Sequence, residues 1–384
     1  MASTDSWRSQ LSAVDRYGKI ELLKKMIEAR GQVATGTAMK TVIAAENDAY
    51  KASASKEEYE AACSTSIVPD GPSLSPSTQE DVSGITIGPY QNCLHISDGL
   101  ISSVYRSKLV ALKVITETHD IAPHDPQREV AILKALHHPA IIPLTTSFRD
   151  TSSRLVLVFP YQPSTLSEFI NEAPISLRLT KSIFHAIFSG LHYLHYQGLI
   201  HRDIKPANIL LNPTSRAIIA DFGTAWHPTL SLPAEPAARK ILEVGTTCYR
   251  APETLFGNYA YTSALDIWST GAMLAECLRS PPSPLFVSPP AHQDGNQLGL
   301  ILSMFKTLGT PTRASWPEAK TFTTPPFEWY NEFPGENWEK LLPGAKDEAR
   351  ELVKGLVRYE SGRRFTAEQA LEQSFFREEE AGGQ

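Results

Sequence analysis

The pattern of apolar and polar positions changes texture twice along the chain. Over residues 7 to 30, WRSQLSAVDRYGKIELLKKMIEAR, the apolar residues Leu11, Val14, Leu22, Leu23, Met26 and Ile27 recur at largely helical spacing. The Ala- and Glu-rich stretch from about Thr41 to Ala62 predicts a second helix. The next segment, STSIVPDGPSLSPSTQEDVSG, is dense in Ser and Pro and has no periodicity, which is the composition of a linker. From about Gly88 short β-branched runs take over: ISSVY, LVALKVI and, after a helical PQREVAILKAL, RLVLVFPY. A long helical pattern follows, SLRLTKSIFHAIFSGLHYLHYQG, with Gly198 placed as its stop. Beyond it lie loop motifs and then mostly helical patterns to Phe376. Strands first and helices second predict an α+β domain in which a small β-rich lobe joins a larger helical one. The boundaries drawn from these changes are a helical extension over 1–62, a linker over 63–86, a two-lobed domain over 87–377 (lobes 87–160 and 163–377) and a tail over 378–384.

Composition narrows the class without naming it. The formal net charge of -6 offers no basic surface for nucleic acid. No run approaches the roughly 20 apolar residues that a membrane helix needs. The opening MASTDSWRSQ lacks the basic and apolar regions of a secretory signal. Cys63, Cys93, Cys248 and Cys277 are scattered, with no CxxC pair, so free thiols in a reducing compartment are expected rather than disulfides or zinc. These features together predict an intracellular protein of the cytoplasm, the nucleus or both.

Chemistry enters with one hairpin and four short motifs. HISDGLISSVYRS, residues 95 to 107, has the layout of a phosphate-covering hairpin, yet it carries one glycine, Gly99. It feeds Lys113 in VALK. HRDIKPANIL (201–210) supplies Asp203, Lys205 and Asn208; DFG is Asp221 to Gly223; YRAPE is Tyr249 to Glu253. In identity, order and spacing these match the protein-kinase signature set, and about 290 residues from Ile87 to Phe376 resemble the eukaryotic protein kinases. The resemblance implies ATP and Mg2+ as cofactors and a protein as substrate.

It also implies roles. Phosphoryl transfer asks a protein mainly to position groups and neutralise phosphate charge. Lys113 would face the α- and β-phosphates, with Glu129 of QREVAIL as its anionic partner. Glu129 precedes Val130, Ile132 and Leu133, which mark an inward-facing helix rather than a solvated one. Asn208 and Asp221 offer the hard oxygen atoms that magnesium takes. Asp203 would accept or orient the substrate hydroxyl proton. Lys205 resembles the serine/threonine form of the loop, and Thr246 would bond both Asp203 and Lys205. Ile96, Val104, Ala111 and Leu210 would sandwich adenine under Gly99, with Phe159 as gatekeeper. The Pro160 carbonyl and the Gln162 N–H would then meet the adenine edge, a use to which the missing N–H of proline is no obstacle.

YRAPE, LGTP (308–311) followed by SWPEAKTF, and the tail GRRFTAEQALEQSFF resemble the CMGC group, and within it the cyclin-dependent branch. The same resemblance pairs Arg364 with Glu253, and lets Tyr249 and Arg250 select proline after the phosphoacceptor. Departures from the pattern are equally informative. Aligned on VY, the glycine positions become Ser97, Gly99 and Ser102, and the inhibitory Thr-Tyr pair becomes Leu100 and Ile101. Ile241 stands where the activating threonine belongs, which leaves Arg202 without a phosphothreonine; Thr229 and Ser231 are candidate substitutes or simply exposed loop residues. The helix of Glu129 has no cyclin-binding sequence. This combination is similar to the fungal monomeric CDK-activating kinases, which implies a monomer that needs no cyclin and takes a cyclin-dependent kinase as its substrate; a generic cyclin-dependent-kinase-like enzyme is the alternative reading of the same features. A reading from another class is a pseudokinase scaffold, supported by the lost glycines and opposed by the complete set of charged residues. The extension over 1–62 would be a docking element, an autoinhibitory segment or packing against the lobe.

Overall fold

The computed structural model describes Ser55, Lys56, Glu58, Tyr59 and residues 84–117, 121–231, 235–287, 297–327 and 331–377. The chain divides into two compact units, Met1–Asp81 and Val82–Gln384. The helix expected over 7–30, most of the helix over 41–62, Cys63 with the linker up to residue 83 and the 378–384 tail lie outside the described residues. The second unit begins its first strand slightly inside the expected linker.

That strand is β1 (Ile85–Ile87), followed by β2 (Tyr90–Asp98), β3 (Ser102–Ser107) and β4 (Val110–Ile115). Helix α1 (Pro126–Ala135) and strands β5 (Thr146–Arg149) and β6 (Leu155–Pro160) complete the lobe. The six strands form one antiparallel sheet in the order β1-β2-β3-β4-β6-β5. Period-2 alternation along β4 divides its side chains between two faces. Leu112 and Val114 turn into a small core with Ile87, Cys93, Val156 and Val158. Ala111 and Lys113 turn the other way, into a cavity. In α1, Asp125 caps the N-terminus by accepting from Gln127 N and Arg128 N at 3.0 and 2.9 Å, and Pro126 occupies the first turn. The buried face of α1 is unusual, because Arg128 and Glu129 lie on it beside Val130, Ile132 and Leu133.

The helical lobe opens with β7 (Ser164–Thr165), α2 (Leu166–Glu172) and α3 (Leu177–Tyr196). Ile183, Phe184, Ile187, Phe188, Leu191 and Leu194 form one buried stripe of α3 at helical spacing. Gly198 ends it with φ +75°, a left-handed conformation that costs glycine least. A short sheet, ordered β7-β8-β9, adds β8 (Ile209–Leu211) and β9 (Ala217–Ile219). The remaining helices are α4 (Pro252–Leu255), α5 (Ala264–Leu278), α6 (Gln297–Leu308), α7 (Trp338–Leu341), α8 (Asp347–Leu356) and α9 (Ala367–Leu371). Helix α5 is buried nearly all round. At Gly271 an added Cβ would lie 2.7 Å from Leu356 Cβ, so α5 and α8 approach closely there. The large core runs from Leu133 of α1 through α3 and α5 to Phe375. Cys93, Cys248 and Cys277 are free thiols, and no helix among the described residues is long and apolar enough to cross a membrane.

The Arg364–Glu253 pair ties the end of this lobe to α4. Both side chains are buried, and the two guanidinium–carboxylate bonds measure 2.7 Å each. Arg364 also donates to the carbonyls of Arg358, Tyr359 and Ala264, and its guanidinium lies over the Trp268 ring. Removing one member strands the other charge without water, which costs about 3–5 kcal/mol. Arg364→Ala should therefore lower the urea midpoint markedly, as followed by circular dichroism, whereas the exposed-pair variant Lys354→Ala should leave it nearly unchanged.

Candidate active site

Lys113 leaves β4 toward α1 and meets Glu129, with Nζ 2.7 Å from Oε1 and 2.9 Å from Oε2. Asp221 Oδ1 lies 2.8 Å from the same ammonium. The Glu129 side chain is 1% exposed and that of Lys113 12%, so neither charge has water to rely on. Burial opposes the ammonium most strongly, yet the attraction of Asp221 and Glu129 outweighs it and lifts the Lys113 pKa. Lys113 likewise holds the Asp221 carboxyl well below its usual range. Burial pushes Glu129 upward, partly countered by Lys113. A fixed cation flanked by two carboxylates results.

The catalytic-loop residues form a second, contiguous group. Asp203 Oδ1 accepts from Thr246 Oγ1 at 2.7 Å, and Thr246 Oγ1 accepts from Lys205 Nζ at 2.9 Å. Lys205 Nζ is also 2.8 Å from Asp203 Oδ2. Asn208 Nδ2 donates to Asp203 Oδ2 at 3.0 Å and to the Asp203 carbonyl at 2.8 Å. Two residues in left-handed backbone conformations, Arg202 (φ +72°) and Asp221 (φ +63°), flank the group, as strained positions at functional sites commonly do.

One further residue, on a different element, holds this loop. Asp266 on α5 is fully buried and accepts from His201 N at 2.9 Å and Arg202 N at 2.8 Å. His195 Nε2 lies 3.0 Å from the same carboxylate. Burial works against its charge, but these contacts keep its pKa below the usual carboxylate range. The sequence signal available was DIWSTG itself, a carboxylate at the head of an otherwise apolar helix. Two expectations about the activation segment also change. Arg202 has a partner, because its guanidinium pairs with Glu235 and donates to Tyr261 Oη at 3.0 Å and to the Thr224 carbonyl. Ser231 is buried rather than exposed, with Oγ accepting from His227 N, while Thr229 is exposed.

Between the lobes lies a cavity of about 450 Å³, within the range of small-molecule sites. Ile96, Gly99, Val104 and Ala111 line it from the sheet, and Leu210 from β8. Phe159, Pro160 and Gln162 line the segment that joins the lobes, and Lys113, Glu129, Lys205, Asn208 and Asp221 form the polar end. Thr246 stays outside the lining and acts through its bonds to Asp203 and Lys205. An apolar end with two lysine cations at the other, Lys113 and Lys205, suits a purine nucleotide bearing phosphates. The amide nitrogen of Asn208 is committed to Asp203, so its oxygen and the Asp221 carboxylate are the hard donors left for a magnesium ion.

The hairpin over this cavity is closed without the usual glycines. Gly99 N donates to the Ser102 carbonyl at 2.7 Å, and Ser103 Oγ donates to Asp98 Oδ1 at 2.6 Å. Neither Ser97 nor Ser102 has a positive φ, so the backbone there makes no demand for glycine. Gly99 itself has room for a Cβ, 3.4 Å from the Ser102 carbonyl. Leu100 is exposed at the tip, whereas Ile101 is buried and its carbonyl accepts from Thr116 N. What the serines add is bulk in the cavity lining, not backbone strain.

A two-lobed α+β fold, a buried lysine–glutamate pair and an Asp–Lys–Asn loop facing one interlobe cleft define a phosphotransferase of the protein-kinase class. The chain belongs to the protein kinase family, whose protein kinase domain model matches residues 92–376. It is similar to serine/threonine-protein kinase csk1 of Schizosaccharomyces pombe, with 34% identity over 283 residues that cover 69% of this chain and 87% of that protein. It is thus a serine/threonine protein kinase that uses ATP with Mg2+.

The lid predicts a measurable effect. Ser97→Gly combined with Ser102→Gly should lower the KM for ATP about two- to five-fold with little change in kcat. A KM that stays constant or rises would show that the bulk of the two serines does not hinder nucleotide binding.

Proposed function

We propose that this kinase phosphorylates another protein kinase of the cyclin-dependent type and does so as a monomer without a cyclin. The observation that carries the reading is the closed Lys113–Glu129 pair, formed within one chain at 2.7 Å. A kinase whose α1 is already seated has no need of a partner to seat it. Leu100 and Ile101 support this, since neither side chain can take a phosphate, and Ile241 removes the usual activating site. Similarity to a serine/threonine kinase over most of both chains supports a serine or threonine hydroxyl as the acceptor group.

Within the site, the residues divide the work. ATP with Mg2+ supplies the phosphoryl group and the cation that offsets its oxygen charge. Lys113 would hold the α- and β-phosphates, and Asn208 and Asp221 would hold the cation. Asp203 receives or orients the proton of the acceptor hydroxyl, with its carboxylate kept in place by Thr246 and Asn208. Lys205 neutralises charge beside the transferring group. Ile96, Val104, Ala111 and Leu210 enclose the base, Gly99 covers the phosphates, and the backbones of Pro160 and Gln162 read the base edge.

Two measurements test this. Incubation of the full chain with an unphosphorylated cyclin-dependent kinase and labelled Mg-ATP should label the activation-loop threonine of that acceptor; no label there rejects the substrate. In the same assay Asp203→Asn should reduce transfer by about 10²–10⁴-fold. Equal labelling by wild type and variant would instead favour a scaffold without catalysis of its own.

A further inference from the structure

Glu235 lies in the activation segment and makes no contact with the cavity, yet its carboxylate is one of the most enclosed in the protein. Its side chain is 3% exposed and faces two guanidinium groups from two different elements. Arg202 Nη1 pairs with Oε1, and Arg202 Nη2 donates to Oε2 at 3.2 Å. Arg128 Nη1 of α1 lies 3.7 Å from Oε2. Ile241 N donates to Oε1 at 2.8 Å. The backbone of Glu235 is fixed as well, since Trp226 Nε1 donates to its carbonyl at 2.9 Å and Glu235 N donates to the Ser231 carbonyl at 3.0 Å.

The two arginines are not arbitrary neighbours. Arg202 directly precedes Asp203, the proton acceptor, and Arg128 directly precedes Glu129, the partner of Lys113. One carboxylate therefore bridges the activation segment, the catalytic loop and α1. Both guanidinium groups are buried, with Arg202 at 0% and Arg128 at 7% side-chain exposure. Burial and the neighbouring Arg202 both lower the Arg128 pKa, as expected for two cations sharing a dry site. Without an anion between them they repel, and opening the segment or moving α1 is the way to separate them.

We propose that Glu235 is a positioning residue that serves as a built-in anion, holding α1 and the catalytic loop together as an added phosphate would in a loop ordered by modification. A phosphate on the same segment would act by creating bonds to an arginine cluster. Here the carboxylate is encoded in the chain, at a site where Thr229 is exposed and Ser231 is already buried in a structural bond. The catalytic arrangement is then set permanently, without a phosphate on this chain. The inference rests on the kinase reading of the site and explains its regulation.

The test compares wild type, Glu235→Gln and Glu235→Asp, each phosphatase-treated and verified as unphosphorylated by intact mass. Labelling of casein and of an unphosphorylated cyclin-dependent kinase is measured in parallel. Unphosphorylated wild type should be fully active. Glu235→Gln, nearly isosteric, should lose about 10–100-fold in kcat with a smaller change in the KM for ATP, and Glu235→Asp should recover much of the loss. A folded Glu235→Gln with wild-type kcat, or a wild type that phosphatase silences, would overturn the proposal. If Glu235→Gln does not fold by circular dichroism, Arg128→Gln carries the test, because it leaves the Arg202–Glu235 pair intact. The same fall in kcat supports the bridge, and undiminished kcat rejects it. Wild type that labels casein but not the cyclin-dependent kinase rejects the substrate proposed above and leaves the bridge standing.

Discussion

The ammonium of Lys113, buried under a sheet, constrains everything around it. A lysine charge removed from water is tolerable only beside an anion, and Glu129 at 2.7 Å meets that need from a helix. The position of α1 is consequently tied to β4 through one charge pair. The capping by Asp125 and the apolar residues Val130, Ile132 and Leu133 orient the helix so that Glu129 points inward. Asp221 completes the arrangement by bringing the DFG segment to the same cation from the other lobe. Neither lobe contains the site alone.

Other buried carboxylates extend the same logic through the helical lobe. Asp266 anchors the backbone of His201 and Arg202, and Glu235 collects the side chains of Arg202 and Arg128. Glu253 holds Arg364 beside the Trp268 ring. Each joins segments far apart in sequence, and each is costly to leave unpaired. The apolar core supplies most of the stability, being non-directional, whereas these pairs fix the registry of loops that have little regular structure of their own.

Much of this was legible in the chain. The catalytic residues Lys113, Glu129, Asp203, Lys205, Asn208 and Asp221 stand in motifs whose spacing is dictated by strand, turn and loop lengths, and all line one cleft or bond to residues that do. The α+β division followed from β-branched runs giving way to a 3.6-residue period. The partner of Arg202 was not legible. Removing the usual threonine at Ile241 suggested an empty site, since nothing in the local pattern of Glu235 distinguishes a buried acid from a solvated one. Nor was the lid. Counting glycines shows that two of three are replaced, while only the backbone angles at Ser97 and Ser102 show a turn that does not need them.

The sequence by itself determined the class of chemistry, because side-chain types at fixed spacing within one loop or strand are local properties. It also determined the longer helices and the strands β3, β4 and β6, whose residue types and periodicity are local, whereas short strands such as β1, β5 and β7 depend on their neighbours in the sheet. Only the tertiary structure decided which carboxylate meets which cation. Glu235 and Arg128 are separated by more than a hundred residues of chain, and Asp266 lies 64 residues beyond Arg202. Pairings over such distances depend on how whole lobes pack, and burial alone makes the pairing obligatory.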